Sequence, residues 1–408
     1  MEEQKKQNLE VAVMLDKKIL SHEILKNKVF KTKTFQPFNK LAINFLDDFA
    51  KELRKSKKIN LFPDLIYLIF WCNKNKNLHK NYKSNHLRLG RGIVFHICPS
   101  NVPTNFIYSF FFGLLSGNSN IVKIPSKNFE EKNIILSVLK NLFSYKKYKD
   151  LKKSNCFIQY SDKDDITKKI SSICDARVIW GGNQTVNNIR KMWMPERAID
   201  LTFPDRYSLS VISIDMLNKE KPSKIKKIVK NFYIDGYTMN QLACNSPHFI
   251  FWVGKINKKL QNYFWNQLNN IVEKKFNFDD IHVVDKYSNL IENIIIQDNF
   301  SNIKMYKNNI YVVDVNDKIK QIENIRGVNG TFFQKNINKI DNLKNYINKK
   351  CQTISYFGFN KEEIKNFLLK NNLLGPDRVV PLGKALEIDL VWDGYDTIKS
   401  LSRVISIE

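Results

Sequence analysis

The chain has 408 residues, 43% of them hydrophobic, and a formal net charge of +26. No apolar run reaches the length of a membrane span, the charged start MEEQKKQNLE lacks the apolar core of a secretory signal, and the 6 cysteines include no CxxC pair. These features argue against a membrane anchor, secretion, a disulfide framework and a zinc site, and they make the cytoplasm the expected compartment. Lysines are spread along the whole chain among Asn and Ile, so the charge reads as solvated basic faces, with a residual bias toward phosphate-bearing ligands.

This length can hold two cored domains or one large α/β unit. The first stretch, to Leu87, is a helical prelude. Phe38, Leu41, Phe45, Phe49 and Leu53 recur at helical spacing over Gln36–Lys55, and Leu61–Cys72 reads as a second, more buried helix. The polar run Lys74–Asn85 reads as a loop. Strands and helices then alternate. Gly92–Ile97 is a buried strand and Pro103–Leu115 a helix with proline in its first turn. Asn120–Ile124 is a strand and Asn128–Leu142 an amphipathic helix. Cys156–Tyr160 and Ala176–Trp180 read as strands, Asp164–Ile173 and Asn183–Lys191 as helices. Such alternation predicts a mostly parallel sheet covered on both faces, with ligands at the carboxyl ends of its strands. The unusual turns CPSNVP, KIPS and WGGNQT fall at those ends.

The texture changes near Asp200. Strands over Ile199–Phe203 and Leu209–Ile214 lead through a helical run, Ser223–Phe232, to the turn Gln241–His248 (QLACNSPH). An apolar strand, Phe249–Val253, follows. A cysteine in such a turn meets substrate and backbone N–H groups, the setting of a nucleophile. Alone, Cys244 reads first as a half-buried structural thiol, and the rest of the chain has to overturn that reading. Lys255–Phe276 is a helix, Asn277–Gln321 has no clear period, and Val328–Gln334 and Thr353–Phe359 read as strands around a helix at Asp341–Lys350. A helix at Lys361–Asn371 and a last strand at Arg403–Ile407 complete the pattern.

Three motifs stand in one order: Ile97–Pro103 (ICPSNVP), Ile121–Ser126 (IVKIPS) and Cys244 in QLACNSP. Around a parallel-sheet pattern they resemble the aldehyde dehydrogenase superfamily. The longer runs ICPSNVPTNFIYSFFFGLLSGNSNIVKIPS, DLTFPDRYSL, QLACNSP and DRVVPLGKALEIDLVWDGYD resemble the bioluminescence-type fatty acyl-CoA reductases, the LuxC family, over Arg91–Glu408.

The resemblance implies an α/β fold: an aldehyde dehydrogenase-like, Rossmann-type parallel-sheet cofactor domain plus an α/β catalytic domain. The expected division is residues 1–205 for the helical prelude and dinucleotide-binding domain, 206–376 for the thiol domain, and 377–408 for a substrate-tunnel turn and an oligomerisation strand. Cys244 would accept the acyl group and Asn101 would donate to the oxyanion with the Cys244 N–H; Asn101 also reads as a helix-capping or turn residue. Lys123 matches the lysine that holds the adenine-side ribose, against its plain reading as a solvated lysine. Ser126 stands where NAD-specific relatives often carry glutamate, which points to NADPH. Gly181 and Gly182 match the turn passing the pyrophosphate, although spacing alone makes them only a turn.

The hydrolytic glutamate of the superfamily has no clean match. Asp200 and Asp205 are candidates for that base, or structural partners of Arg206. His248 is either a thiolate-activating partner or a strand residue facing away. Gly330–Gln334 occupies the region of the nicotinamide-ribose glutamate, and Val380–Lys384 resembles the turn bordering the substrate tunnel. Phe106–Leu115 could line that tunnel or form core. The implied activity is reduction of an acyl thioester, carried on Cys244, to a fatty aldehyde by NADPH. The alternatives are an NAD(P)-dependent aldehyde dehydrogenase and a non-catalytic basic scaffold. Expected partners are acyl-CoA or an acyl-protein, an acyl-protein synthetase, and further copies of the chain; no metal is expected.

Overall fold

The structure is a computed structural model that describes residues 32–77, 82, 86–160, 165–276, 279–296, 300–316, 319 and 321–408. The charged N-terminal stretch and most of the 74–85 loop lie outside these residues. The chain forms two compact units, one running to Pro204 and including Ile388–Glu408, the other Asp205–Glu387. The tail read as one segment over 377–408 is thus divided between them.

In the first unit, α1 (Lys40–Arg54) and α2 (Pro63–Asn75) precede the sheet. The Asn39 side chain caps α1 by accepting from the Ala42 N–H, and Pro63 opens α2, where its missing N–H costs nothing. A short strand, β1 (Leu87–Gly90), leads into β2 (Ile93–Ile97), α3 (Asn105–Leu115), β3 (Ser119–Lys123), α4 (Glu130–Ser144), α5 (Lys149–Ser154), β4 (Asn155–Ile158), α6 (Ile166–Ser171), β5 (Ala176–Trp180), α7 (Asn183–Arg190) and β6 (Ile199–Phe203). The sheet order is β4-β3-β2-β5-β6 and every pairing is parallel. Strands β2, β4 and β5 are buried along their whole length, as near-continuous apolar runs in a doubly covered sheet should be.

All residues of α3 are buried. Phe111 of α3 lies 5.1 Å from Phe49 of α1 and 5.8 Å from Trp71 of α2, centroid to centroid. Helices α1 and α2 therefore form a layer over α3, and Phe106–Leu115 is core of this unit. Returning residues Ser402–Ile405 pair antiparallel with β1.

A polar ladder crosses this core. Trp180 Nε1 donates to Ser109 Oγ at 3.0 Å, and Ser109 Oγ meets His96 Nδ1 at 2.8 Å. His96 Nε2 meets Asn120 Oδ1 at 3.0 Å, and Asn120 Nδ2 donates to Asn155 Oδ1 at 2.7 Å. The amide oxygen of Asn120 only accepts, so His96 carries its proton on Nε2. Burial lowers its pKa to about 4. The helix passes close enough for this because Gly113 has no side chain: a Cβ there would sit 1.9 Å from Asn120 Oδ1.

The second unit holds β7 (Tyr207–Ser213), α8 (Ile214–Asn218), α9 (Pro222–Tyr237), β8 (Pro247–Val253), α10 (Lys258–Lys275), α11 (Asp280–Ile296), β9 (Phe300–Tyr306), β10 (Ile310–Val315), β11 (Thr331–Ile337), β12 (Cys351–Phe357), α12 (Lys361–Lys370) and β13 (Arg378–Pro381). Its sheet runs β13-β12-β7-β8-β11-β10-β9, parallel except where β9 joins β10. The two faces carry separate apolar clusters, one around Phe249, Phe251 and Phe333, the other around Trp252, Trp265 and Phe332. The sequence stretch without clear period contains α11, β9 and β10. Helix α11 lacks a sorted face: Lys286 and Asn293 are buried while Ile281, Val284 and Ile295 are exposed. The helix expected at Asp341–Lys350 is a 3-10 segment, Ile340–Tyr346.

Candidate active site

The strand order of the first sheet reverses at β2 and β5, and a crevice at the carboxyl ends of such strands is where this topology binds ligands. Residues 98–104 follow β2, Gly181 and Gly182 follow β5, and Lys123 ends β3. Lys123 holds its ammonium 4.7 Å from the centre of the Tyr160 ring. Ser126 is exposed in the loop after β3. That loop is held from beneath by Lys132, a buried lysine whose Nζ donates to Pro125 O at 3.2 Å and Lys127 O at 2.8 Å. Nothing in the sequence distinguishes Lys132 from its many neighbours.

Gly182 is the N-cap of α7, with an ordinary φ of −63°, and a Cβ built on it would meet nothing within 4 Å. Glycine is not needed there by the fold. It leaves bare backbone at a helix N-terminus, which suits a phosphate group, and Lys123 adds a cation on the same sheet edge. These residues fit a phosphate-bearing dinucleotide. Asn101 is exposed and its side chain makes no hydrogen bond among the described residues. The residue at the N-cap of α3 is Thr104, so Asn101 is not the cap, and Pro103 lies in the turn before the helix.

In the second unit, Cys244 sits in a turn just before β8, the central strand of seven. Five of the six thiols are buried; Cys244 is partly exposed. Burial pushes Cys156, Cys174 and Cys351 up to about 12 and raises Cys72 and Cys98 as well, which makes them inert at neutral pH.

Three anchors hold the turn. Ser208 Oγ, on β7, donates to Cys244 O at 2.7 Å. Gln241, buried and in a left-handed conformation with φ 62°, donates from Nε2 to Pro247 O at 3.1 Å and Thr331 O at 2.8 Å, and accepts from the Gly330 N–H at 3.1 Å. Asn245 Nδ2 donates to Ala385 O at 2.6 Å. Ala385 directly follows the Val380–Lys384 segment, so that segment and the thiol turn are joined. Gln241 and Asn245 stand inside the sequence motif, but only the fold reveals what they grip.

The two candidate bases are engaged elsewhere. Asp200 takes both oxygens to Arg177, from Nε at 2.7 Å and Nη2 at 2.9 Å. Asp205 pairs with Arg326 at 3.2 Å. Arg206, read as their partner, instead pairs with Asp377 and donates to Cys351 O at 2.8 Å. His248 is buried on β8, with Nδ1 2.9 Å from Gly327 O, and burial lowers its pKa to about 3. Gln334 is committed to the core: its oxygen accepts from Trp252 and Trp265, and its nitrogen donates to Asp314.

The family described as Acyl-CoA reductase (LuxC) matches residues 74–404. The chain belongs to this family. No curated protein matches it. Among solved structures it is similar to glyceraldehyde-3-phosphate dehydrogenase GapN from Methanocaldococcus jannaschii complexed with NADP, with TM-score 0.62, 15% identity, and coverage of 99% of this chain and 94% of that one. It is similar to the substrate-bound AldH of Staphylococcus aureus, with TM-score 0.60, 11% identity and coverage of 99% and 93%. It is also similar to a salicylaldehyde dehydrogenase from Pseudomonas putida G7 complexed with salicylaldehyde, with TM-score 0.59, 12% identity and coverage of 89% and 84%. The LuxC family chain thus has the aldehyde dehydrogenase fold, as the sequence motifs imply, and it is an oxidoreductase acting on acyl or aldehyde groups. No helix among its described residues is long and apolar enough to cross a membrane.

Proposed function

We propose that the protein is an NADPH-dependent acyl-CoA reductase that carries its acyl group on Cys244. The observation carrying this reading is the contrast among the thiols: five are buried, and the sixth stands partly exposed in a firmly held turn at the head of the central strand. Cys244 Sγ attacks the carbonyl carbon of an acyl thioester. The new C–S bond forms as the bond to coenzyme A breaks, and coenzyme A leaves as the thiolate. The Cys244 N–H and the uncommitted amide of Asn101 are assigned to the oxygen on which charge develops. Lys123, Ser126, Gly181 and Gly182 are assigned to the dinucleotide, with Ser126 tolerating a 2′-phosphate that a glutamate would repel. When bound, the reduced nicotinamide supplies hydride to the acyl carbon. The C–S bond to Cys244 then breaks, the thiolate returns and a fatty aldehyde departs.

The engagement of Asp200 and Asp205 with arginines supports reduction over hydrolysis, because an acyl-enzyme awaiting hydride must not meet an activated water. Cys244→Ala is expected to abolish covalent labelling by radiolabelled acyl-CoA. Labelling that persists in the variant would overturn the reading. Steady carboxylate production from aldehyde and NADP⁺ would instead favour an oxidative enzyme. An acyl-protein synthetase delivering the acyl group, and self-association of the chain, belong to the same proposal.

A further inference from the structure

Asp235 lies on α9 with its side chain wholly buried. A buried carboxylate needs partners, and this one finds them in backbone rather than in a cation. Its oxygens accept from the Gly383 N–H at 2.7 Å and the Ala385 N–H at 2.9 Å. The turn bearing these groups is shaped to approach α9: Gly383 has φ +90°, and a Cβ there would sit 2.9 Å from that of Asn231. The carbonyl of Ala385 then accepts from Asn245 Nδ2 and from Arg378 Nη1, each at 2.6 Å. Arg378 Nη2 gathers Lys384 O at 2.8 Å and Glu387 O at 2.7 Å. One residue, Ala385, therefore links a buried carboxylate on one side to the neighbour of Cys244 on the other.

The structure assigns Asp235 as a positioning residue for Cys244: it fixes the 383–385 turn, and that turn fixes Asn245 and with it the Cys244 peptide. The connection runs unbroken through hydrogen bonds, from Asp235 to Ala385 to Asn245. The Cys244 carbonyl is clamped from the opposite direction by Ser208. Asp235→Asn keeps one acceptor oxygen but sets an NH2 against the other N–H, so one of the two N–H groups loses its acceptor and the turn shifts to find another. Asn245 then loses its acceptor, and the thiol and the Cys244 N–H leave their places. This inference rests on the role proposed for Cys244, but it concerns a placement that can be read without catalysis.

The test uses Asp235→Asn, Asn245→Ala and the double variant of the full chain. Two rates are read: alkylation of Cys244 by iodoacetamide, followed by peptide mass spectrometry, and single-turnover acylation by acyl-CoA. Each single variant is expected to change both rates by roughly tenfold to a hundredfold, the scale of small misplacements at a reacting group. The double variant is expected to change them no further, because both residues act along one path. Unchanged alkylation and acylation in Asp235→Asn, or losses that multiply in the double variant, overturn the assignment. If Asp235→Asn does not fold, Asn245→Ala decides: wild-type rates there break the only link drawn to Cys244. Wild-type protein that is alkylated at Cys244 but never acylated counts against the acyl-carrier role, while the alkylation rates still judge the positioning.

Discussion

Arg177 and Asp200 are register partners on adjacent parallel strands, joined by two hydrogen bonds of 2.7 and 2.9 Å. Arg177 is wholly buried, and its remaining nitrogen ties Ser171, Ile189 and Met192 to the same point. Removing one partner of such a pair strands the other's charge. Asp200→Asn is therefore expected to cost about 3 kcal/mol or more in denaturant unfolding. It should leave the ratio of aldehyde to carboxylate products unchanged. A stable variant with altered products would make Asp200 a catalytic base after all.

Two glycines on the first unit make opposite predictions. At Gly113 an added methyl would collide with Asn120 and His96, so Gly113→Ala should destabilise by about 3 kcal/mol. At Gly182 the methyl meets nothing, so Gly182→Ala should keep stability within about 0.5 kcal/mol. The same variant should weaken NADPH binding, read by fluorescence quenching, by about tenfold, or 1.4 kcal/mol. Unchanged NADPH affinity would remove Gly182 from the proposed cofactor site.

Ser126 decides between the two dinucleotides in the proposed site. Ser126→Glu places a carboxylate where a 2′-phosphate is expected. Affinity for 2′,5′-ADP should fall about tenfold by calorimetry, with affinity for 5′-ADP little changed. Equal effects on both ligands would separate Ser126 from the phosphate.

The buried ring of His248 gives a pH signature. Its folded pKa of about 3 lies below the unfolded value of about 6.5, so the unfolded chain takes up the proton first. Its contribution to stability is complete above about pH 6.5 and is lost as the pH falls toward about 3. His248→Gln, which can still donate to Gly327 O, has no such proton uptake. Across that window wild type should lose about 1.4 kcal/mol per pH unit relative to the variant. A difference that stays flat from pH 7 to 4 would show that the ring is not held neutral.

The fold was legible where burial is continuous. Runs such as IVFHI and ARVIW read as covered parallel strands because both of their faces need apolar cover. The turn around Cys244 was legible because small, polar and proline residues interrupt that pattern. Helix α11 was not, since its exposed isoleucines and buried Lys286 blur the periodicity on which such readings depend. The partners of Asp200, Arg206, Gln241 and Asn245 were hidden for another reason. Arg206 finds Asp377 across 171 positions, and Asn245 finds Ala385 across 140. Such pairings are set by strand order, which no local pattern encodes.

The return of residues 388–408 to the first unit bears on how the protein is made. Arg88 donates to Lys399 O and Ser402 O, Arg91 to Ser400 O, and Asn118 to Leu401 O. These bonds, and the pairing of β1, wait for residues that leave the ribosome some three hundred positions later. The second unit has no such debt: it is one unbroken segment, Asp205–Glu387. During synthesis the thiol-bearing unit can therefore reach its finished form while β1 of the first unit still lacks its partner strand, Ser402–Ile405.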